Sequence, residues 1–176
     1  MQAFRRGRGD DGAAAVEFAL LFPIFMILAM GVINGGLAFS RQINVTQAAR
    51  EASRYGATYD IVTAGGLTTW LTALDTAVTE SAGNAANPIG GYNYRCVGLV
   101  VRDSAGNVSS QSGYKENGGA AVTGQGCPST TPPNLGPGSK LVQVALSRDV
   151  QFFVIFINPK LQLDATSNTP YEGRLP

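Results

Sequence analysis

Residues 18–39 read FALLFPIFMILAMGVINGGLAF and hold one strongly polar side chain, Asn34, in 22 positions. Wound as an α-helix, the run would be about 33 Å long at ~1.5 Å per residue, against a bilayer hydrocarbon core of about 30 Å. The apolar stretch of a buried core helix is shorter, roughly 10–14 residues. The run therefore reads as a membrane-spanning helix, and any fold or function assigned to this chain has to accommodate one segment in lipid.

Composition narrows the function further. Charged residues make up 14% of the chain, below the roughly 25% usual in soluble domains, and 13 basic side chains nearly cancel 12 acidic ones. Phosphate recognition relies on clustered Lys and Arg, and no such cluster is present, so no nucleic-acid partner is expected. The chain has no His, which removes both the commonest acid–base catalyst and the commonest metal ligand. Two Cys alone fall short of an ordinary zinc site, which takes four ligands. An enzyme would have to rest on carboxylate pairs such as Asp75 with Glu80 or Asp149 with Asp164, and no spacing selects these over ordinary surface acids. No catalytic residue, metal or cofactor is expected.

Charge does not orient the span, because Arg5, Arg6 and Arg8 precede it while Arg41, Arg50 and Arg54 follow it. The cysteines do: Cys96 and Cys127 both lie after the run, as expected if that part folds in an oxidising compartment. The expected layout is a basic cytoplasmic leader over residues 1–12, a transmembrane helix over 13–40 in the cell membrane, and an extracytoplasmic domain over 41–176.

Three kinds of processing fit this N-terminus. A secretory signal cut at Gly36-Leu37-Ala38 would leave a soluble protein, but the apolar run exceeds the usual 7–15 residues of such a signal. An uncut run would be a permanent anchor. In the third case the cut falls before the span, and there Glu17 matters. A carboxylate in a membrane helix costs about 2.5–3.5 kcal/mol at the centre and less near the interface. It is accommodated either by the helix N-terminal dipole or by a positive partner. Cleavage between Gly12 and Ala13 would create an α-amino group four residues before Glu17, available to a carboxylate on a neighbouring helix.

The string GAAAVEFALLFP, residues 12–23, resembles the class III prepilin signal of Flp/Tad pili, in which a Gly is followed after four residues by Glu and then an aromatic. GVINGGLAFSRQINVTQAAREASRYGA, residues 31–57, is similar to the same stretch of TadE-like minor pseudopilins. The resemblance implies that Gly12 precedes the cut made by a prepilin peptidase and that Ala13 becomes the new N-terminus. It makes Glu17 the assembly charge partner, with Phe18 as its aromatic companion where major pilins have Tyr. The partners it implies are the peptidase, other pilin or pseudopilin subunits, the inner-membrane assembly platform and membrane lipid.

Within the run, Gly31 and Gly35 have the G-x-x-x-G spacing that lets membrane helices approach closely, and Asn34 can hydrogen-bond across such a contact. Gly is also simply commoner in membrane helices than in soluble ones. Pro23 removes a helix hydrogen bond and is expected to bend the helix.

Residues 41–56, RQINVTQAAREASRYG, continue the helix out of the membrane, with Ala48, Ala49 and Ala52 on one face and Arg50, Glu51 and Arg54 on another. Leu67, Trp70, Leu71, Leu74 and Val78 recur at helical spacing and predict a second amphipathic helix over 66–82, with Trp70 as a core anchor. Residues 83–91 read as a turn-rich connection. Strands are expected over 92–102, over 141–146 with Val142, Val144 and Leu146 on one face, and around Leu161, Leu163 and Ala165. The run 152–157, FFVIFI, is either a fully buried strand, the preferred reading, or a surface that meets membrane or partner.

Residues 103–139 contain eight Gly and four Pro in 37 positions and read as a loop without a core of its own. Pairing Cys96 with Cys127 would tie this loop back to the preceding strand. Free thiols or an intermolecular bridge are the alternatives. Short motifs elsewhere carry little weight. Arg8-Gly9-Asp10 falls before the span, and Asn44-Val45-Thr46 and Asn107-Val108-Ser109 match an acceptor pattern too short to be specific.

The expected fold is therefore α+β. A long N-terminal transmembrane helix continues into an amphipathic helix, and a small extracytoplasmic domain packs a second helix on a largely antiparallel sheet. The function implied by the resemblance is that of a structural minor pseudopilin in Flp/Tad-type pilus assembly. The alternative is an uncleaved single-pass membrane-anchored binding module that uses the loop at 103–139.

Overall fold

A computed structural model of the chain describes residues 10–81, 92–128, 130, 136–151 and 160–175, side chains 10 and 11 excepted. The leader arginines Arg5, Arg6 and Arg8, the connection at 83–91 and the apolar run at 152–157 lie outside the described residues.

A single helix, α1, Asp10–Thr58, runs for 49 residues with Pro23 inside it, a length of about 74 Å at ~1.5 Å per residue. The membrane-spanning pattern and the alanine-faced pattern that follows it are thus one element. After it, Asp60 accepts a hydrogen bond from the Val62 N–H (3.2 Å) and starts the one-turn helix α2, Ile61–Ala64. Gly65, at φ 87°, ends that turn in the left-handed region open to glycine. The amphipathic helix α3 follows at Leu67–Ser81, burying Trp70, Leu71, Leu74 and Val78.

The sheet is five-stranded and antiparallel, in the order β3-β2-β1-β4-β5. Its strands are β1 Tyr94–Val101, β2 Gly113–Glu116, β3 Val122–Thr123, β4 Lys140–Gln151 and β5 Lys160–Pro170. Side chains alternate between its faces. Val97, Leu99, Val101, Val142, Val144, Leu146 and Ala165 join Val45, Ala48, Ala49 and Ala52 of α1 and the apolar face of α3 in one core. Trp70 lies at its centre, fully buried, donating its indole N–H to the Tyr59 carbonyl (2.8 Å) and meeting the Tyr171 ring edge-on at 6.0 Å.

Small residues let α1 sit close to the sheet. A Cβ on Gly56 would come within 3.0 Å of Val142 Cγ1 and 3.1 Å of a Leu74 methyl, so this contact needs the missing side chain.

The α+β architecture and the antiparallel sheet agree with the sequence reading, but the stretch 103–139 does not stay a loop. It supplies β2 and β3, and β2 pairs with β1 from Cys96↔Glu116 to Leu99↔Gly113. These strands are held by backbone pairing to a buried neighbour rather than by an apolar pattern of their own, which is why composition alone gave a loop. Asn117 at φ 48° and Gly118 at φ 74° turn the chain after β2.

Candidate membrane and assembly segment

Every described side chain of α1 from 12 to 33 is exposed, including Phe18, Leu21, Phe25, Leu28 and Val32. Exposing a large apolar side chain to water forgoes about 1.5–3 kcal/mol, and over this run the total exceeds what a small domain can offset. The helix is long and apolar enough to cross a membrane, and none of its most apolar stretch is buried inside the chain.

The residues proposed to act in processing and assembly lie at the start of this exposed stretch. Gly12, Ala13, Glu17 and Phe18 are all exposed, and the Phe18 and Phe22 rings lie 5.6 Å apart on one face of the helix. Ala13 and Glu17, four residues apart, share a face about one turn apart. Gly31 and Gly35 are open too: apart from the adjoining residues and the helix's own backbone, no described atom lies within 4 Å of where a Cβ would stand. Asn34 differs from these glycines: it is half-buried against its own chain.

From that point the environment of α1 changes. Ala38 is buried, followed by Val45, Ala48, Ala49, Ala52, Ser53 and Ala57. Four polar contacts fix the helix beside β5 and the residues that follow it. Gln42 donates its side-chain amide to the Asp164 carbonyl (3.1 Å), the Ser53 hydroxyl meets Ser167 Oγ at 2.7 Å and Thr169 Oγ1 at 2.9 Å, and the Glu172 N–H reaches the Ala57 carbonyl at 3.5 Å. Both sequences increase along this series, so α1 and β5 run in the same direction. Sequence reading missed this serine and threonine contact, because polar residues in a strand read as a solvated face until the helix hydroxyl opposite them is known.

On the other sheet face, Cys96 and Cys127 form a disulfide with Cα atoms 6.0 Å apart, packed with Ala145, Tyr94 and Tyr114. The Cys127 N–H donates to Gln143 Oε1 at 3.1 Å. Closing the chain over 31 residues stabilises the fold by roughly 3–4 kcal/mol in the chain-entropy picture. Gly98 lies beneath the bridge, where a Cβ would meet Cys127 Sγ at 3.2 Å.

Of the carboxylates weighed as catalytic candidates, Asp75 is held by structural ion pairs. Asp75 is buried on α3 and pairs with Arg95 Nε at 2.7 Å and, more distantly, with Lys115 Nζ at 3.9 Å, tying the helix to β1 and β2. Glu80 is exposed on the same helix. Asp149 pairs across the ladder with Gln162, and Asp164 with Ser147. Among the described residues no three His, Cys, Asp or Glu side chains gather as a metal site would require.

These features define a chain with an exposed apolar helix at one end and an α+β head built on the continuation of that helix at the other. Residues 12–54 match the family model described as TadE-like protein. That is 43 of 176 residues, comprising the exposed run and most of the packed half of α1. Over this segment the chain is similar to TadE-like proteins. No curated protein and no solved structure matches the chain.

Proposed function

We propose that this chain is a minor pseudopilin of a Flp/Tad-type pilus or related secretion machine, processed by a prepilin peptidase between Gly12 and Ala13. The observation that carries this reading is the position of the family match. It begins at Gly12, where the exposed stretch of α1 carries Glu17 and Phe18 at the spacing of the prepilin pattern.

The helix is anchored in the cell membrane with its N-terminus cytoplasmic and its head outside. A disulfide in the head supports that orientation, because such bonds persist in oxidising compartments. After cleavage, the new α-amino group of one subunit meets the Glu17 carboxylate of another as their helices pack, neutralising a charge that lipid would penalise. Gly31 and Gly35 leave the backbone open for a neighbouring helix. The other subunits and the inner-membrane assembly platform are the partners, and the chain contributes packing rather than catalysis.

The test is Glu17→Ala, followed by fractionation and by co-purification with the other pilus subunits. The variant is expected to remain in the membrane and to be lost from the assembly. Normal incorporation would remove the role assigned to Glu17.

A further inference from the structure

The direction in which β5 runs beside α1 has a consequence at its other end. Gln42 of α1 is level with Asp164 of β5. Four residues earlier, at Lys160, the β4–β5 ladder reaches its last described pair, Gln151↔Lys160. Four strand residues cover about 13 Å at ~3.3 Å each, a distance α1 covers in about nine residues at ~1.5 Å. Allowing for tilt between strand and helix, this end of the sheet is level with residues 34–38. Burial along α1 agrees: Asn34 is the first half-buried position and Ala38 the first fully buried one. Both lie inside the apolar run that ends at Phe39.

The head thus overlaps the apolar run by about one helical turn. The exposed side chains at the overlap suit a bilayer boundary. Leu161 is 44% exposed, and Lys160 beside it is exposed, a pair that can place an aliphatic stem in the acyl boundary and an ammonium among headgroups.

We propose that the end of the sheet formed by Gln151, Lys160 and Leu161 rests in the interface of the bilayer, giving the chain a second lipid contact beside α1. This rests on the reading of α1 as a membrane span. With two contacts the head is held at a fixed height and orientation on the membrane instead of pivoting about α1.

The test uses the full chain in phosphatidylcholine nanodiscs with and without lipids brominated on their acyl chains, which quench nearby indoles. Trp70, the one native tryptophan, is fully buried and gives a common background. Leu28→Trp reports on the span, Leu161→Trp on the proposed contact, and Val108→Trp on the opposite end of the sheet. Gln151→Trp serves as a second reporter should Leu161→Trp fold poorly. The proposal expects the Leu161 and Gln151 reporters to lose most of their added emission to brominated lipid while the Val108 reporter loses none. If the Leu28 reporter is quenched and the Leu161 and Gln151 reporters behave like Val108, the second contact is overturned and the span stands. An unquenched Leu28 reporter overturns both.

Discussion

The two halves of α1 are a single helix with opposite surroundings. From 12 to 33 its large side chains, Phe18, Leu28 and Val32 among them, are exposed, whereas from 38 to 57 small ones, Ala38, Ala48, Ala49 and Ala52, are buried. Size and burial are inverted relative to an ordinary soluble helix, where the large apolar residues go inside. The contrast separates two sets of partners. The first half is suited to lipid, and the second to close approach by β4 and α3, as the contacts at Gly56 require.

If the halves are independent in this way, a substitution in one should leave the other unaffected. The largest effect is expected for Leu28→Arg, which exchanges a favourable residue for a charge near the middle of the span, a change of about 3–4 kcal/mol in insertion free energy. The variant should shift from the membrane to the soluble or degraded fraction, and unfolding of the head in detergent should be unchanged. A head destabilised to the same degree would break the comparison. Ala52→Leu is the reciprocal case. Ala52 is 3% exposed, and overpacking such a site costs about 1–3 kcal/mol, so denaturant unfolding of the head should shift while membrane fractionation stays wild-type.

The smallest effect is a pH dependence confined to the head. Burial pushes the Tyr171 phenol above its usual 10.0; the hydrogen bond from the Ile61 N–H opposes this and the nearby Asp60 charge adds to it. Tyr92 is also raised by burial, with Arg148 opposing. A folded value above the unfolded one means full stability below pH 10, lost as the pH rises through the elevated folded values. Unfolding curves should be flat from neutral pH to about 10 and decline beyond it. Tyr171→Phe should make that decline shallower, while costing about 1 kcal/mol at neutral pH for the Ile61 N–H bond of 2.9 Å. A decline of unchanged steepness in Tyr171→Phe would assign the effect elsewhere.

The parts of the fold that were legible in the sequence are those where side chains act through their own periodicity. The apolar run, the alanine face and the spacing of Trp70, Leu71, Leu74 and Val78 needed no knowledge of neighbours. The Cys96–Cys127 bridge was legible as the single intramolecular pairing two cysteines allow. What was not legible depends on partners distant in sequence. Gly113, Tyr114, Lys115 and Glu116 form a strand because β1 offers an edge, and the polar end of β5 is a strand because Ser53 meets Ser167 and Thr169. Asn34, read as able to hydrogen-bond across a helix contact, is half-buried, which the sequence pattern did not indicate. In the candidate site, Gly12, Ala13, Glu17 and Phe18 were read from their order and spacing alone, and the structure adds that all four are exposed.

N-terminal sequencing with intact mass, on protein extracted from native membranes, tests the central claim most directly. The account predicts a chain beginning at Ala13. A chain that still carries residues 1–12 would contradict prepilin-type processing and leave a permanent anchor, and one beginning at Phe39 would contradict the membrane helix as well.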